Sequence, residues 1–431
     1  MPETPKTKIV RIIARLNVGG PAKHVAWLTA GLQNANYQSL LVTGSVPDGE
    51  EDMGYFAESL GVLPVYIREM SREISPNDLV TVWKLVRLFL RERPNIIHTH
   101  TAKAGTVGRV AGLIYRWSTP GALVGRPREC KFVHTYHGHV FHSYYGPLKT
   151  KAFLEIEKLL ARIATDRIFV VSDQQREEIN QRFGVGKANQ FRVVPLGLDL
   201  KAFNDWPSRR QLLRQELGVA EETLVIGIVG RLTEVKNHQM FLQTVAKFKD
   251  LSPQSKVHFV VIGDGSLRQS LEAMSESLGL ENKVTFAGGR KDPENFYAGL
   301  DVVALTSLNE GTPLTLIEAM ANARPVISTA VGGVVDLLGD EVQQQNGYTE
   351  CHRGLSVPSG DVAAFAAGLA RLVADKDLRQ RLGNNGLEFV SNNYSKERLL
   401  GDIVKLYDEL LRTVTTSVAS RSHERSLRSR A

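Results

Sequence analysis

The residues best suited to chemistry in this 431-residue chain lie in Glu310-Gly-Thr-Pro-Leu-Thr-Leu-Ile-Glu318, where two carboxylates stand eight positions apart. Between them Thr312 reads as an N-cap and Pro313 as the first helical residue, since proline lacks an N–H that the first turn leaves unpaired anyway. A helix starting there offers unpaired backbone N–H groups, those of Leu314 and Thr315, at the positive end of its dipole, which suits a diphosphate. Glu310 and Gly311 precede that helix, and Glu318 lies more than a turn into it, able to face the same ligand. Carboxylates accept paired hydrogen bonds from vicinal hydroxyls. The stretch therefore fits a ligand with phosphates in its middle and hydroxyls at both ends. Taken singly, each glutamate also reads as a loop carboxylate or a solvated helix face.

A basic pair stands in Gly230-Arg-Leu-Thr-Glu-Val-Lys-Asn237. Fixed cations beside a departing diphosphate lower the barrier to its departure, and Arg231 offers a fork where Lys236 offers a point charge. The alternative is a surface pair with Lys236 bridging Glu234. Gly19 and Gly20 allow close backbone approach before a helix expected at Pro21. Histidines cluster in His98-Thr-His100 and in His134-Thr-Tyr-His137-Gly-His139-Val-Phe-His142. They invite a zinc reading, but no acidic or cysteine partner is near in sequence, and the site is expected to hold no metal. His134 reads as core, while His139 and His142 read as shaping an acceptor side. Gly263-Asp-Gly265 mimics a dinucleotide loop but lacks its third glycine.

The elements that must position these groups follow from the apolar pattern. Short apolar runs at 8–14, 38–43, 95–99, 131–136, 167–171 and 191–195 alternate with helical stretches such as 80–93 and 149–164. The pattern restarts with runs at 223–229, 256–262, 283–286, 301–305 and 325–328. Alternating strand and helix predicts an α/β fold with parallel sheets covered on both faces. Two such series predict two Rossmann-like doubly wound domains, 1–196 and 197–395, with the helix at 396–412 packing back onto the first and 413–431 a disordered basic tail. Ligands bind beyond the carboxyl ends of strands in such sheets, and the glycine, histidine, basic and acidic groups above all follow predicted strands.

Composition narrows the classes. With 42% hydrophobic and 23% charged residues, the chain is ordinary and globular. Cys130 and Cys351 stand far apart and read as separate reduced thiols. No apolar run approaches the roughly 20 residues of a membrane span, and the first residues do not read as a signal peptide, so a cytoplasmic location is expected. A net charge of +7 suits anionic small ligands or contact with the inner face of a membrane. Nucleic acid is disfavoured, because basic and aromatic residues do not interleave.

The Glu310…Glu318 stretch, the Arg231…Lys236 pair, the Gly19-Gly20 loop and His137 together resemble the bacterial family 4 glycosyltransferases over almost the whole chain, 8–412. The resemblance implies the GT-B fold, two facing Rossmann-like domains, and retaining transfer of a hexose or N-acetylhexosamine from a UDP- or GDP-linked donor, without cofactor, to a glycan or lipid-linked acceptor. By match, Glu310 contacts the donor sugar, Glu318 the ribose, and Leu314 and Thr315 the phosphates. Arg231 and Lys236 would clamp the diphosphate, His137 would lie near the anomeric carbon, and Arg290 falls where base contacts occur. The His98-Thr-His-Thr-x-Lys103 run resembles capsule and exopolysaccharide members. Two segments depart from the pattern: 116–131 is long and basic, a loop for a lipid-linked acceptor or an insertion, and 341–353 is longer than usual. The rival readings are a GT-B-shaped sugar-nucleotide epimerase and a non-catalytic nucleotide-sugar-binding protein.

Overall fold

The computed structural model describes residues 5–17, 19–47, 52–71, 75–137 and 147–428. Two compact units emerge, one formed by 1–197 with 396–431 and the other by 198–395.

The first unit holds a seven-stranded parallel sheet of β1 (Thr7–Ile13), β2 (Tyr37–Thr43), β3 (Val65–Tyr66), β4 (Ile96–His100), β5 (Lys131–Thr135), β6 (Arg167–Val170) and β7 (Phe191–Val193), in the order 3-2-1-4-5-6-7. Its β-branched strands are buried on both faces by helices, as parallel sheets require. One face packs under Ala102–Trp117 and Asn77–Glu92 through Val10, Ile12, Ile97 and Phe132. The other packs under Gly20–Gly31 and the C-terminal helix, whose Leu399, Ile403, Tyr407 and Leu410 join Ile9 and Ile96.

The second unit holds an eight-stranded sheet: β8 (Leu224–Val229), β9 (Val257–Ile262), β10 (Val284–Gly288), β11 (Val302–Leu305), β12 (Val326–Thr329), β13 (Glu341–Gln345), β14 (Tyr348–Cys351) and β15 (Gly354–Val357), in the order 10-9-8-11-12-15-14-13. The first five are parallel, while β13–β14 and β14–β15 pair antiparallel. The long 341–353 segment is thus a structural edge hairpin. In both sheets the strand order reverses beside the first strand, between β1 and β4 and between β8 and β11. The loops that leave these strands flank the crevice where doubly wound folds bind ligands.

The last helix runs Lys396–Arg428, and neither proline nor glycine interrupts 413–428. Among the described residues no helix is long and apolar enough to cross a membrane.

Candidate active site

In the second unit the loops after β8 and β11 meet. Lys236 ends a short 3-10 turn, Glu234–Lys236, closed by Asn237 at φ 49°, whose side chain accepts from the Met240 N–H and caps the next helix. Asparagine tolerates this left-handed conformation better than most residues. Lys236 Nζ donates to Glu310 Oε1 at 2.5 Å, and Ser307 Oγ donates to the same oxygen at 2.6 Å. The sequence alternative, Lys236 with Glu234, is not the pairing formed. Thr306 Oγ1 donates to the Asn237 carbonyl at 2.9 Å and ties the two loops together. Arg231 is exposed and has no carboxylate partner among the described residues.

Glycines fix the backbone here. At Gly332, φ +53°, a Cβ would sit 1.8 Å from the Glu310 carbonyl oxygen, and at Gly333 one would sit 2.4 Å from that of Gly311. The turn after β12 therefore packs flush beneath Glu310 and Gly311. Sequence reasoning missed Ser307, Thr306 and this turn, although Gly-Gly directly after a strand was the available signal. Gly263 and Gly265 have a similar purpose, since a Cβ at either would strike the Gly230 or Leu232 carbonyl oxygen at 1.9 and 2.5 Å. The apparent dinucleotide loop is a packing seat for the loop that carries Arg231.

The helix after Glu310 spans Leu314–Ala321. Thr312 is not its N-cap: Pro313 takes that place at φ −72°, ψ 114°, and the Thr312 hydroxyl is buried without a partner among the described residues. The extended ψ of Pro313 holds Thr312 one residue too far from the first turn to reach its N–H groups. The N–H groups of Leu314 and Thr315 remain without acceptors among the described residues, while that of Leu316 reaches the Pro313 carbonyl at 3.2 Å. Glu318 is half-buried one turn in, beside Tyr297, whose hydroxyl pKa is raised first by burial and then by this carboxylate. Arg290 is held between Asp292, at 2.6 Å, and Glu216, which raises its pKa. Its guanidinium thus stands as a fixed, charge-paired plane.

In the first unit Gly19 precedes the Gly20–Gly31 helix, which starts one residue ahead of the expected Pro21. Arg11, His98 and His100 share one face of β1 and β4. Arg11 Nη1 approaches His98 Nδ1 at 3.0 Å, as does the Tyr407 hydroxyl at 2.6 Å, while His98 Nε2 meets Thr135 Oγ1 at 2.7 Å. Because arginine only donates, His98 Nδ1 is an acceptor and Nε2 carries the hydrogen. His134 is core, bonded to Thr99 at 2.8 Å, and Lys103 is spent on Asp78. His139 and His142 lie outside the described residues.

At the carboxyl end of this face, His100 Nδ1 lies 2.9 Å from His137 Nε2, and His24 stacks edge-on to His137 with ring centres 4.8 Å apart. One ring atom from each of His24, His100 and His137 falls within 4.8 Å of the others. Both nitrogens of His24, Nε2 of His100 and Nδ1 of His137 are buried without partners among the described residues. Burial lowers the pKa of all three, that of His137 to about 4, so the rings are neutral. Thr101, next to His100, holds φ +70°, a strained conformation for a β-branched residue. Three neutral imidazoles could ligate a zinc-class ion. Arg11 and Arg398 act electrostatically on His24, however, and although Asp402 pairs with Arg398 at 2.6 Å, the three rings include no carboxylate ligand, which disfavours a dication. Neutral rings with spare donors and acceptors suit sugar hydroxyls instead. His24 was not singled out with this group in the sequence because its contact arises only when the helix after β1 folds over the sheet.

The family model described as Glycosyltransferase Family 4 covers residues 18–202, and that described as Glycosyl transferases group 1 covers 209–389. An Escherichia coli UDP-Gal:alpha-D-GlcNAc-diphosphoundecaprenol alpha-1,3-galactosyltransferase is 27% identical over 401 residues, 89% of this chain and 95% of the relative. A Staphylococcus aureus capsular polysaccharide biosynthesis glycosyltransferase is 27% identical over 372 residues, 85% of this chain and 89% of the relative. Among solved structures, Anabaena HepE in complex with UDP and glucose superposes with a TM-score of 0.74 at 21% identity, over 94% of this chain and all of that one, 100%. Two glycosyltransferase family models thus match successive parts of the chain, family 4 in its amino-terminal part and group 1 in its carboxyl-terminal part, and its fold is that of the GT-B glycosyltransferases.

Proposed function

We propose that this glycosyltransferase moves a hexose or N-acetylhexosamine, with retention at the anomeric carbon, from a UDP- or GDP-linked donor to a glycan or lipid-linked acceptor in surface-polysaccharide synthesis at the cytoplasmic face of the membrane. The observation that carries the reading is the second unit's Lys236–Glu310–Ser307 group, set just ahead of a helix whose first N–H groups lack acceptors. In this reading the Leu314 and Thr315 amides and the helix dipole bind the diphosphate. Arg231 and Lys236 stabilise charge as it leaves. Gly311 and the Gly19-Gly20 turn let backbone approach the donor. Glu310 holds the sugar hydroxyls, Glu318 the ribose, and the Arg290 plane stacks on the base. His137 bonds the donor sugar. No side chain forms a covalent intermediate; the acceptor attacks from the face the diphosphate leaves, and that diphosphate takes the acceptor's proton.

Two relatives support the substrate class by name: the galactosyltransferase acts from a UDP-sugar on a diphosphoundecaprenol-linked sugar, and the S. aureus protein acts in capsule synthesis. The test is a panel of UDP- and GDP-sugars with lipid-diphosphate-linked sugar acceptors, the product's anomeric proton coupling being read by NMR. A retained α-linkage is expected. An inverted product overturns the stereochemical assignment. Turnover of donor to an epimeric nucleotide-sugar without acceptor replaces the reading with the epimerase, and binding without turnover replaces it with a non-catalytic carrier.

A further inference from the structure

The chemistry above uses His137 but not His100, which supplies the hydrogen bond that the structure gives the His137 ring. Strands β4 and β5 end at His100 and Thr135, which stand opposite each other in the parallel register. The chain leaving β5 therefore brings His137 over the end of β4. There His100 Nδ1 lies 2.9 Å from His137 Nε2, with the two ring planes 23° apart. On its other side the His100 ring lies against His98, with centres 4.1 Å apart.

The hydrogens of this pair are tied together. Burial lowers both pKa values, that of His137 to about 4, so each ring is neutral and carries one N–H. If His100 Nδ1 donates, His137 keeps its own hydrogen on Nδ1 and offers a donor there. If His137 Nε2 donates, His137 Nδ1 is left as an acceptor and His100 Nε2 carries the hydrogen. The two outer nitrogens, His137 Nδ1 and His100 Nε2, are thus of opposite kind in either state. Both are buried without partners among the described residues. An unpaired buried nitrogen costs stability, and His100 is fully buried. Phenylalanine would fill the same space and keep the stack on His98 without that cost, so packing does not account for an imidazole at position 100. Thr101, which follows directly, is held at φ +70°, and backbone strain of this kind gathers at functional sites.

We propose that His100 is a positioning residue for His137: its Nδ1 fixes the orientation of the His137 ring and sets whether His137 Nδ1 donates to a sugar hydroxyl or accepts from it. The inference rests on the reading of His137 as a partner of the donor sugar and adds the group that aims it.

The test is a mutant cycle with His100→Phe, which keeps a ring but removes the bond, and His100→Asn, whose amide donates or accepts near the Nδ1 position. His100→Phe should lower kcat/KM for transfer about 10- to 100-fold, while calorimetric binding of UDP and GDP and the thermal midpoint stay at wild-type values. His100→Asn should regain most of the loss. In a His137→Phe background, His100→Phe should have little further effect, because its influence passes through the missing ring. Wild-type rates in His100→Phe, equal losses in the Phe and Asn variants, a fully additive loss in the double variant, or loss of UDP and GDP binding in His100→Phe overturns the proposal. A second readout is independent of turnover. With ¹⁵N-labelled histidine, His100→Phe should shift the His137 ring-nitrogen resonances, assigned by their loss in His137→Phe. Unchanged resonances overturn the positioning role, whereas a wild type that transfers no sugar but shows the shift overturns the proposed function and leaves the coupled pair standing.

Discussion

Removing the Glu310 carboxylate is the most exacting perturbation. In the folded chain one oxygen receives both the Lys236 ammonium at 2.5 Å and the Ser307 hydroxyl at 2.6 Å, with the Glu310 and Lys236 side chains only 10% and 20% exposed. Glu310→Ala strands a largely desolvated cation and a hydroxyl. That is expected to cost about 1–3 kcal/mol of stability, below the figure for a fully buried pair because water reaches Lys236. Transfer should fall further, by about 10²–10³ in kcat, if the carboxylate also orients the reacting sugar. Lys236→Ala alone should lose less stability, and the double variant should be less damaged than the sum, with a coupling of about 1–2 kcal/mol in both melting and kcat/KM. The assay is a double-mutant cycle read by urea unfolding and by initial transfer rates with saturating acceptor. Strict additivity in kcat/KM would refute the claim that the two side chains act on the donor as one unit. Full activity in Glu310→Ala would refute its assignment altogether.

Three further outcomes follow from the geometry. Gly332→Ala forces a Cβ to within 1.8 Å of the Glu310 carbonyl oxygen from a left-handed backbone; melting should drop by about 2–4 kcal/mol with kcat lowered, and a variant of wild-type stability and rate would show that the turn does not set Glu310. His24, His98 and His100 are held neutral by burial and regain ordinary pKa values when unfolded. The unfolded chain therefore binds more protons below about pH 6.5, and each ring removes up to about 1.4 kcal/mol of stability per pH unit as pH falls. Urea midpoints from pH 7.5 to 5 should fall steeply, His98→Gln should flatten the slope, and a pH-independent midpoint would contradict the buried assignment. Dialysis against a chelator should leave transfer unchanged, because Arg11 opposes a dication at His24, His100 and His137 and no carboxylate belongs to that group; activity lost on chelation and restored by zinc would reassign that group.

The sequence exposed what is local and periodic. Apolar runs marked most strands, and the motif after β11 marked the helix that begins near Pro313. It could not show contacts made by folding between distant segments: His24 over His137, Tyr407 on His98 some 309 residues away, or Ser307 and the Gly332 turn around Glu310. The missed cap has a narrower cause. Thr312-Pro313 reads as a cap followed by a first-turn proline, yet proline at ψ 114° stays outside the helix and becomes the cap itself. Strand β13 escaped because Glu341–Gln345 is solvent-facing and polar, with no apolar alternation to detect, while β14 and β15 are buried but only four residues each, too short for a clear period. Arg290 was legible as a position but not as a paired guanidinium, since Glu216 lies 74 residues away.

The most direct measurement is a crystal structure of the chain soaked with the nucleotide-sugar it turns over, or with UDP and GDP. The account predicts the diphosphate within hydrogen-bonding distance of the Leu314 and Thr315 amides, the Arg231 guanidinium turned onto it, and the sugar against Glu310. Clear density for the nucleotide elsewhere, with those two amides still lacking an acceptor, would contradict it.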